Sequence, residues 1–226
     1  MLDKLIRYSE VADVLGESPD GTILEVGAGP LGLGSCLPYR FVGVDPWYPE
    51  PPIETQTAIR GSAVALPFSD CSFDYVLCIE VLEHIPPEIR TRVVEEMCRV
   101  ARRKVVITHP WGKTARWGDQ FLGVIYDALR VFGKGRPWWL VEHLSAPYPD
   151  PRQYLPTIPS GFRKSVRGRE NTFLHVILVF FTHLKFVHRR LDKIHYRWPG
   201  LLKRVTKWVH FPPYSRAEVI LERQAS

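Results

Sequence analysis

The segment Thr22-Ile23-Leu24-Glu25-Val26-Gly27-Ala28-Gly29-Pro30-Leu31-Gly32 constrains this chain more than any other. Thr22 to Val26 is β-branched or aliphatic except at Glu25, which suits a central parallel strand covered on both faces. The run then stops at glycines, which let the backbone turn tightly and approach a ligand with no Cβ in the way. Pro30 has no N–H to leave unpaired in a first helical turn, so a short helix is expected to start there. Strand, glycine loop and helix, in that order, open a doubly wound nucleotide-binding sheet.

Phe41-Val42-Gly43-Val44-Asp45 reads as a second apolar strand ending in an acid. Its distance from the loop is close to the roughly 20 residues at which a carboxylate reaches the ribose hydroxyls from the tip of the adjacent strand. A solvated cap after a strand is the plainer alternative. Loop and acid together leave two nucleoside ligands, a nicotinamide dinucleotide and S-adenosylmethionine. Glu25 favours the second, because an acid beside the loop repels a pyrophosphate but can orient the loop and help neutralise a cation.

Farther on, Leu66-Pro67-Phe68, Ser72-Phe73-Asp74 and Glu80-Val81-Leu82-Glu83-His84 follow one another. With the glycine loop, this pattern resembles the class I S-adenosylmethionine-dependent methyltransferases over about residues 21–110. The resemblance implies an α/β fold, doubly wound, with a mostly parallel seven-stranded sheet, an antiparallel last strand and a helical insert before that strand. It implies S-adenosylmethionine as cofactor, held by Glu25, Gly27, Ala28, Gly29, Asp45, Pro46, Ser62, Ala63, Leu66 and Glu80. Ser62 stands where the family often has Asp, and brings a hydroxyl without a charge.

The 226 residues, 45% hydrophobic and 24% charged, are ordinary for one globular domain and argue against extensive disorder. The expected organisation is a single methyltransferase domain with an N-terminal helix within 1–20, an acceptor or lid region over 112–160 and a basic helical insert over 172–211. Cys36, Cys71, Cys78 and Cys98 show no metal-ligand spacing and read as reduced thiols of a cytoplasmic protein. The mixed charges of Met1 to Tyr8 do not read as a signal peptide.

Lys104 to His109 is expected as a fifth strand, after a helix opened by Pro86 and Pro87 and supported by Glu88–Arg92 and Glu95–Arg99 pairs. Ligands bind beyond the carboxyl ends of such strands, so His109 and Trp111 are candidates to face the acceptor. His109 and His84 are the candidate bases, each with the alternative of a hydrogen-bonded wall residue. Glu142 and His143 resemble a Glu-His pair of the family, which makes His143 a candidate acceptor contact; a buried pair holding a loop is the alternative. No metal site is expected.

The formal net charge is +6, and its location matters more than its size. Lys185, Arg189, Arg190, Lys193, Arg197, Lys203, Arg204 and Lys207 face Asp192 alone. Within 199–211, Leu201, Leu202, Val205, Trp208 and Val209 form an apolar stripe opposite Lys203, Arg204 and Lys207, as in a basic interfacial helix. Phe173 to Val187 is apolar but interrupted and too short for the ~20 residues of a bilayer span. The expected function is methyl transfer to a small-molecule or lipid- or glycan-linked acceptor, with peripheral contact to the inner membrane surface. A nucleic-acid methyltransferase using the basic segment and a noncatalytic cofactor-binding scaffold are the alternatives.

Overall fold

The computed structural model describes residues 2–16, 19–130, 135–182 and 207–224. Helix α1 (Leu2–Leu15) precedes β1 (Ile23–Val26), β2 (Phe41–Asp45), β3 (Gln56–Arg60) and β4 (Phe73–Ile79). Helix α2 (Arg90–Val100) leads into β5 (Ala101–Pro110), and helices α3 (Gly112–Leu129), α4 (Trp138–Ser145) and α5 (Pro151–Tyr154) follow. The chain closes with β6 (Phe162–Asn171), α6 (Thr172–Thr182) and β7 (Tyr214–Arg223).

The seven strands form one sheet in the order β3-β2-β1-β4-β5-β7-β6. β1 to β5 run parallel, and β7 lies antiparallel between β5 and β6. The strand order reverses direction between β1 and β4, and a crevice opens beyond the carboxyl ends at such a switch point. The period of two along each strand splits the core between two faces. Val76 and Cys78 pack with α2 residues Val93, Val94 and Met97 on one face. Tyr75, Leu77 and Ile79 pack with α1 residues Tyr8, Val11 and Leu15 on the other.

A third layer forms outside the sheet. Leu122 and Tyr126 of α3, Leu140 of α4 and Val176 and Val179 of α6 share a small core of their own. This layer makes α4 a helix within the region 112–160 expected as an acceptor or lid segment. The reason is local: the prolines cluster after residue 145, and Leu140 has an apolar slot to fill.

The helix expected at Pro30 shrinks to the 3-10 turn Leu33–Ser35. No helix forms between Asp45 and Gln56, as the prolines there imply. The expected Glu95–Arg99 pair is replaced by Arg99 to Glu96 at 2.8 Å. Most of the basic insert, including Lys203 and Arg204, lies outside the described residues. Among those described, no helix is long and apolar enough to cross a membrane.

Candidate functional site

The glycine loop is fixed from both sides. Glu25 sits on the α1 face of β1 and is buried, with Tyr8 Oη donating to Oε1 at 2.6 Å and the Leu33 backbone N–H donating to Oε2 at 2.6 Å. The acid therefore ties helix α1 to the segment after the loop. Gly27 has φ +77°, and a Cβ there would lie 2.4 Å from Val81 Cγ2. Both facts call for glycine. At the tip of β2, Asp45 accepts from the Gly29 N–H at 3.1 Å and from the Trp47 N–H at 3.0 Å. Trp47 itself is 66% exposed.

The loop after β3 is held by α2. Leu66 N–H donates to Glu96 Oε2 at 2.9 Å, and Arg99 donates to the carbonyls of Leu66 and Phe68 at 3.0 and 2.8 Å. These bonds, with a bridge between Ser62 and Ala65, shape the turn that presents Ser62 and Ala63. Helix α2 is thus more than core cover: its polar Glu96 and Arg99 hold the loop after β3 in place.

A cavity of about 1060 Å³ opens at the switch point. Gly27, Asp45, Pro46, Ser62, Ala63 and Glu80 line one end, and His84 and His143 line the other with Trp138 and Trp139. Ala28, Gly29, Leu66 and Glu25 stand behind this lining as supports, since they do not border the cavity. Glu80, at φ +55° just after β4, is buried. Its Oε2 accepts from Arg216 Nε at 3.1 Å, and its Oε1 has no hydrogen-bond partner among the described residues. Arg216 also pairs with Glu170 at 2.7 Å, and Glu170 meets His175 at 3.1 Å.

Two expected acceptor contacts lie elsewhere. His109 shares a face of β5 with Val105 and Ile107, fully buried, and its ring nitrogens meet the Pro110 carbonyl and Tyr154 Oη, each at 2.9 Å. Burial pushes its pKa down to about 4. It does not border the cavity, and the strand period is the reason. Trp111 packs against the main core, and its backbone N–H donates to the Ser215 carbonyl at 3.0 Å.

His84 and His143 do meet in the cavity wall, with ring centroids 5.5 Å apart. The expected Glu142–His143 pair is exchanged for two others: His84 Nδ1 to Glu142 Oε2 at 2.6 Å and His143 Nδ1 to Asp119 Oδ2 at 2.8 Å. Burial, then the neighbouring His143, lowers the His84 pKa against the pull of Glu142. Asp119 is buried, which acts to raise its pKa, yet the hydrogen bonds from His143 and Tyr148 hold it below the ordinary carboxylate range. Glu83, Asp119, Arg216, Glu170 and His175 were not singled out from the sequence. The Glu-His dipeptide was the one signal for Glu83, and the others lie on helices and strands whose periodicity carries no functional mark.

Residues 24–107 match the family described as "Methyltransferase domain". An uncharacterized methyltransferase of Mycobacterium avium is 37% identical over 113 residues, which is 45% of this chain and 42% of that protein. The chain spans less than half the length of the curated relatives it matches. A crystal structure from Anabaena variabilis, described as a methyltransferase from an antibiotic biosynthesis pathway, superposes over 95% of this chain and 96% of its own, with a TM-score of 0.53 at 14% identity. A Haloferax volcanii protein, also described as a methyltransferase and solved with the activator Trm112, covers 99% of this chain and 92% of its own at 13% identity, again with a TM-score of 0.53. The seven-stranded fold is shared with both. From the glycine loop to the fifth strand, then, this chain is similar to the methyltransferase-domain family.

Proposed function

We propose that the chain transfers a methyl group from S-adenosylmethionine to a small-molecule or lipid-linked acceptor. The observation that carries this reading is the continuity of the cavity, which runs from Gly27, Asp45 and Ser62 past Glu80 to His84 and His143. Its volume of about 1060 Å³ matches the upper end of the ~300–1,000 Å³ of ordinary ligand pockets, leaving space for an acceptor beside a nucleoside. The residues present fit the cofactor: the Asp45 carboxylate stands at a strand tip, a loop with glycine at positions 27 and 29 adjoins it, and Ala63 and Val64 offer an apolar face.

When bound, the cofactor supplies a methyl group on a positively charged sulfur. The acceptor's lone pair forms the new bond to carbon while the carbon–sulfur pair returns to sulfur. The chain's task is alignment and exclusion of water, together worth up to about 7–11 kcal/mol for well-oriented reactants. Asp45 orients the nucleoside, Val81 and Ile85 keep the reacting zone dry, and the α3–α4–α6 layer walls the acceptor side. Incubation with labelled S-adenosylmethionine and panels of polar, lipid and RNA acceptors tests this. Label transfer to a small or lipid acceptor is expected. Transfer to RNA alone would favour the nucleic-acid reading, and preferential binding of NAD would overturn the cofactor.

A lipid-linked acceptor has its own support. Trp117, Phe121 and Phe173 form a contiguous, half-exposed ring cluster on α3 and α6, and Trp208 is 83% exposed. In sequence the basic run begins directly after α6. Exposed aromatics beside basic residues suit an anionic membrane surface. Flotation with phosphatidylserine vesicles is expected at low salt and lost in a Trp117→Ser, Phe121→Ser double variant. Equal flotation of both proteins, or none by the wild type, removes the membrane contact.

A further inference from the structure

The cavity wall holds a feature that methyl transfer from a sulfonium does not require. Glu83, in the turn Leu82–His84 after β4, has a side chain only 1% exposed, and neither of its carboxylate oxygens has a hydrogen-bond partner among the described residues. An acid buried without partners costs stability unless something of opposite charge completes it. Two imidazoles face it. His84 Nε2 lies 4.0 Å and His143 Nε2 lies 3.9 Å from Glu83 Oε1, and the three ligand atoms lie within 4.8 Å of one another.

The far side of each ring is also engaged. His84 Nδ1 is bonded to Glu142 and His143 Nδ1 to Asp119, and Tyr148 donates to the same Asp119 oxygen. A carboxylate on Nδ1 fixes the tautomer with its proton there and leaves the Nε2 lone pair free. Both Nε2 atoms therefore present lone pairs toward one unpartnered carboxylate, which is the donor arrangement of a metal centre. A histidine acting alone as a base would explain neither the buried Glu83 nor the second carboxylate-anchored ring.

We infer that Glu83, His84 and His143 bind a divalent transition-metal ion with open positions toward the cavity. Two imidazoles and one carboxylate suit Zn²⁺ and its first-row neighbours better than Mg²⁺ or Ca²⁺, which prefer all-oxygen sites. All three residues line the cavity, so an oxygen of the acceptor can complete the coordination. If the methyltransferase reading holds, on which this step rests, the acceptor class is a hydroxyl compound and the reaction is O-methylation. The metal would lower the hydroxyl pKa, its proton would leave to water, and the oxygen lone pair would form the bond to the methyl carbon as the carbon–sulfur bond breaks and its pair returns to sulfur.

Cobalt(II) titration of the metal-stripped full chain, read by visible absorption and by competition with Zn²⁺, tests the site without any turnover. One Co²⁺ per chain is expected, displaced by Zn²⁺, with affinity lowered at least 10-fold by Glu83→Gln and by His143→Ala. The outer carboxylate should matter too, and Asp119→Asn should cost roughly 10–100-fold. Binding that all three substitutions leave unchanged, or no binding at all, overturns the proposal; melting curves confirm which variants are folded, and one folded variant suffices. S-adenosylhomocysteine binding is measured on the same samples. Its absence would refute the methyltransferase reading while leaving the metal result standing, and its presence without Co²⁺ binding would refute the metal alone.

Discussion

Gly27 and Asp45 both line the cavity, and each matters for a different reason. At Gly27 a methyl group meets the stiff Val81 side chain at 2.4 Å with the backbone at φ +77°. Gly27→Ala is therefore expected to destabilise the fold by about 1–3 kcal/mol, the scale of a forced positive φ plus displacement of a packed neighbour. Adding Val81→Ala should recover the steric part only, which thermal melts of the single and double variants can separate. Asp45→Ala should weaken S-adenosylhomocysteine binding by roughly 1.5–3 kcal/mol, the scale of hydrogen bonds to a charged group. Calorimetry giving unchanged affinity would remove its ribose role. Both residues were legible in the sequence because they sit where strands end, and the strand pattern says where that is. Glu83 was half legible: its neighbour His84 was marked, but His143 joins them only through the packing of α4, far along the chain.

Single elements act here through polar ties as much as through apolar packing. Helix α1 covers its sheet face with Tyr8, Val11 and Leu15, an arrangement its apolar spacing foretold. What the spacing did not foretell is the Tyr8 hydroxyl on Glu25. Tyr8→Phe keeps the packing, removes one donor from a buried carboxylate and is expected to cost about 1–3 kcal/mol in stability. Because Glu25 also holds the Leu33 N–H, the same variant should loosen the glycine loop and raise the Kd for S-adenosylhomocysteine. A stability loss with no change in Kd would show that loop and helix are independent. Helix α2 behaves alike, since Arg99 and Glu96 bind the loop of Leu66 and Phe68. Expected helix-supporting pairs on its exposed side gave no hint of that, because the partner is a loop from another part of the chain.

At the scale of the whole molecule, protonation of one buried ring links stability to pH. The ordinary histidine pKa is near 6.5, and burial lowers that of His109 to about 4. Between those values the folded chain holds fewer protons than the unfolded one, so this contribution is fully present above pH 6.5 and falls as the pH drops. The loss amounts to about 2 kcal/mol between pH 7 and pH 5. Urea unfolding at the two pH values should show it, and His109→Gln should shrink the difference, whatever that variant's starting stability. Equal pH dependence in both proteins would assign the titration to other groups. The seven strands and the antiparallel β7 were expected from the family pattern, as was a helical insert before it, whereas the packing of α3, α4 and α6 into one layer was not, because its contacts join segments distant in sequence.

That layer has a consequence for how the chain can change over evolutionary time. The cavity-lining residues from Val26 to Val93 fall within 24–107, and those from α3, α4 and α6 come after it. Substitutions in that later segment can reshape the cavity while the glycine loop, carried by a separate length of the same polypeptide, stays intact. Glu83 and His84 stand inside the matched segment and His143 outside it, so remodelling α4 would part His143 from the other two while leaving the glycine loop untouched.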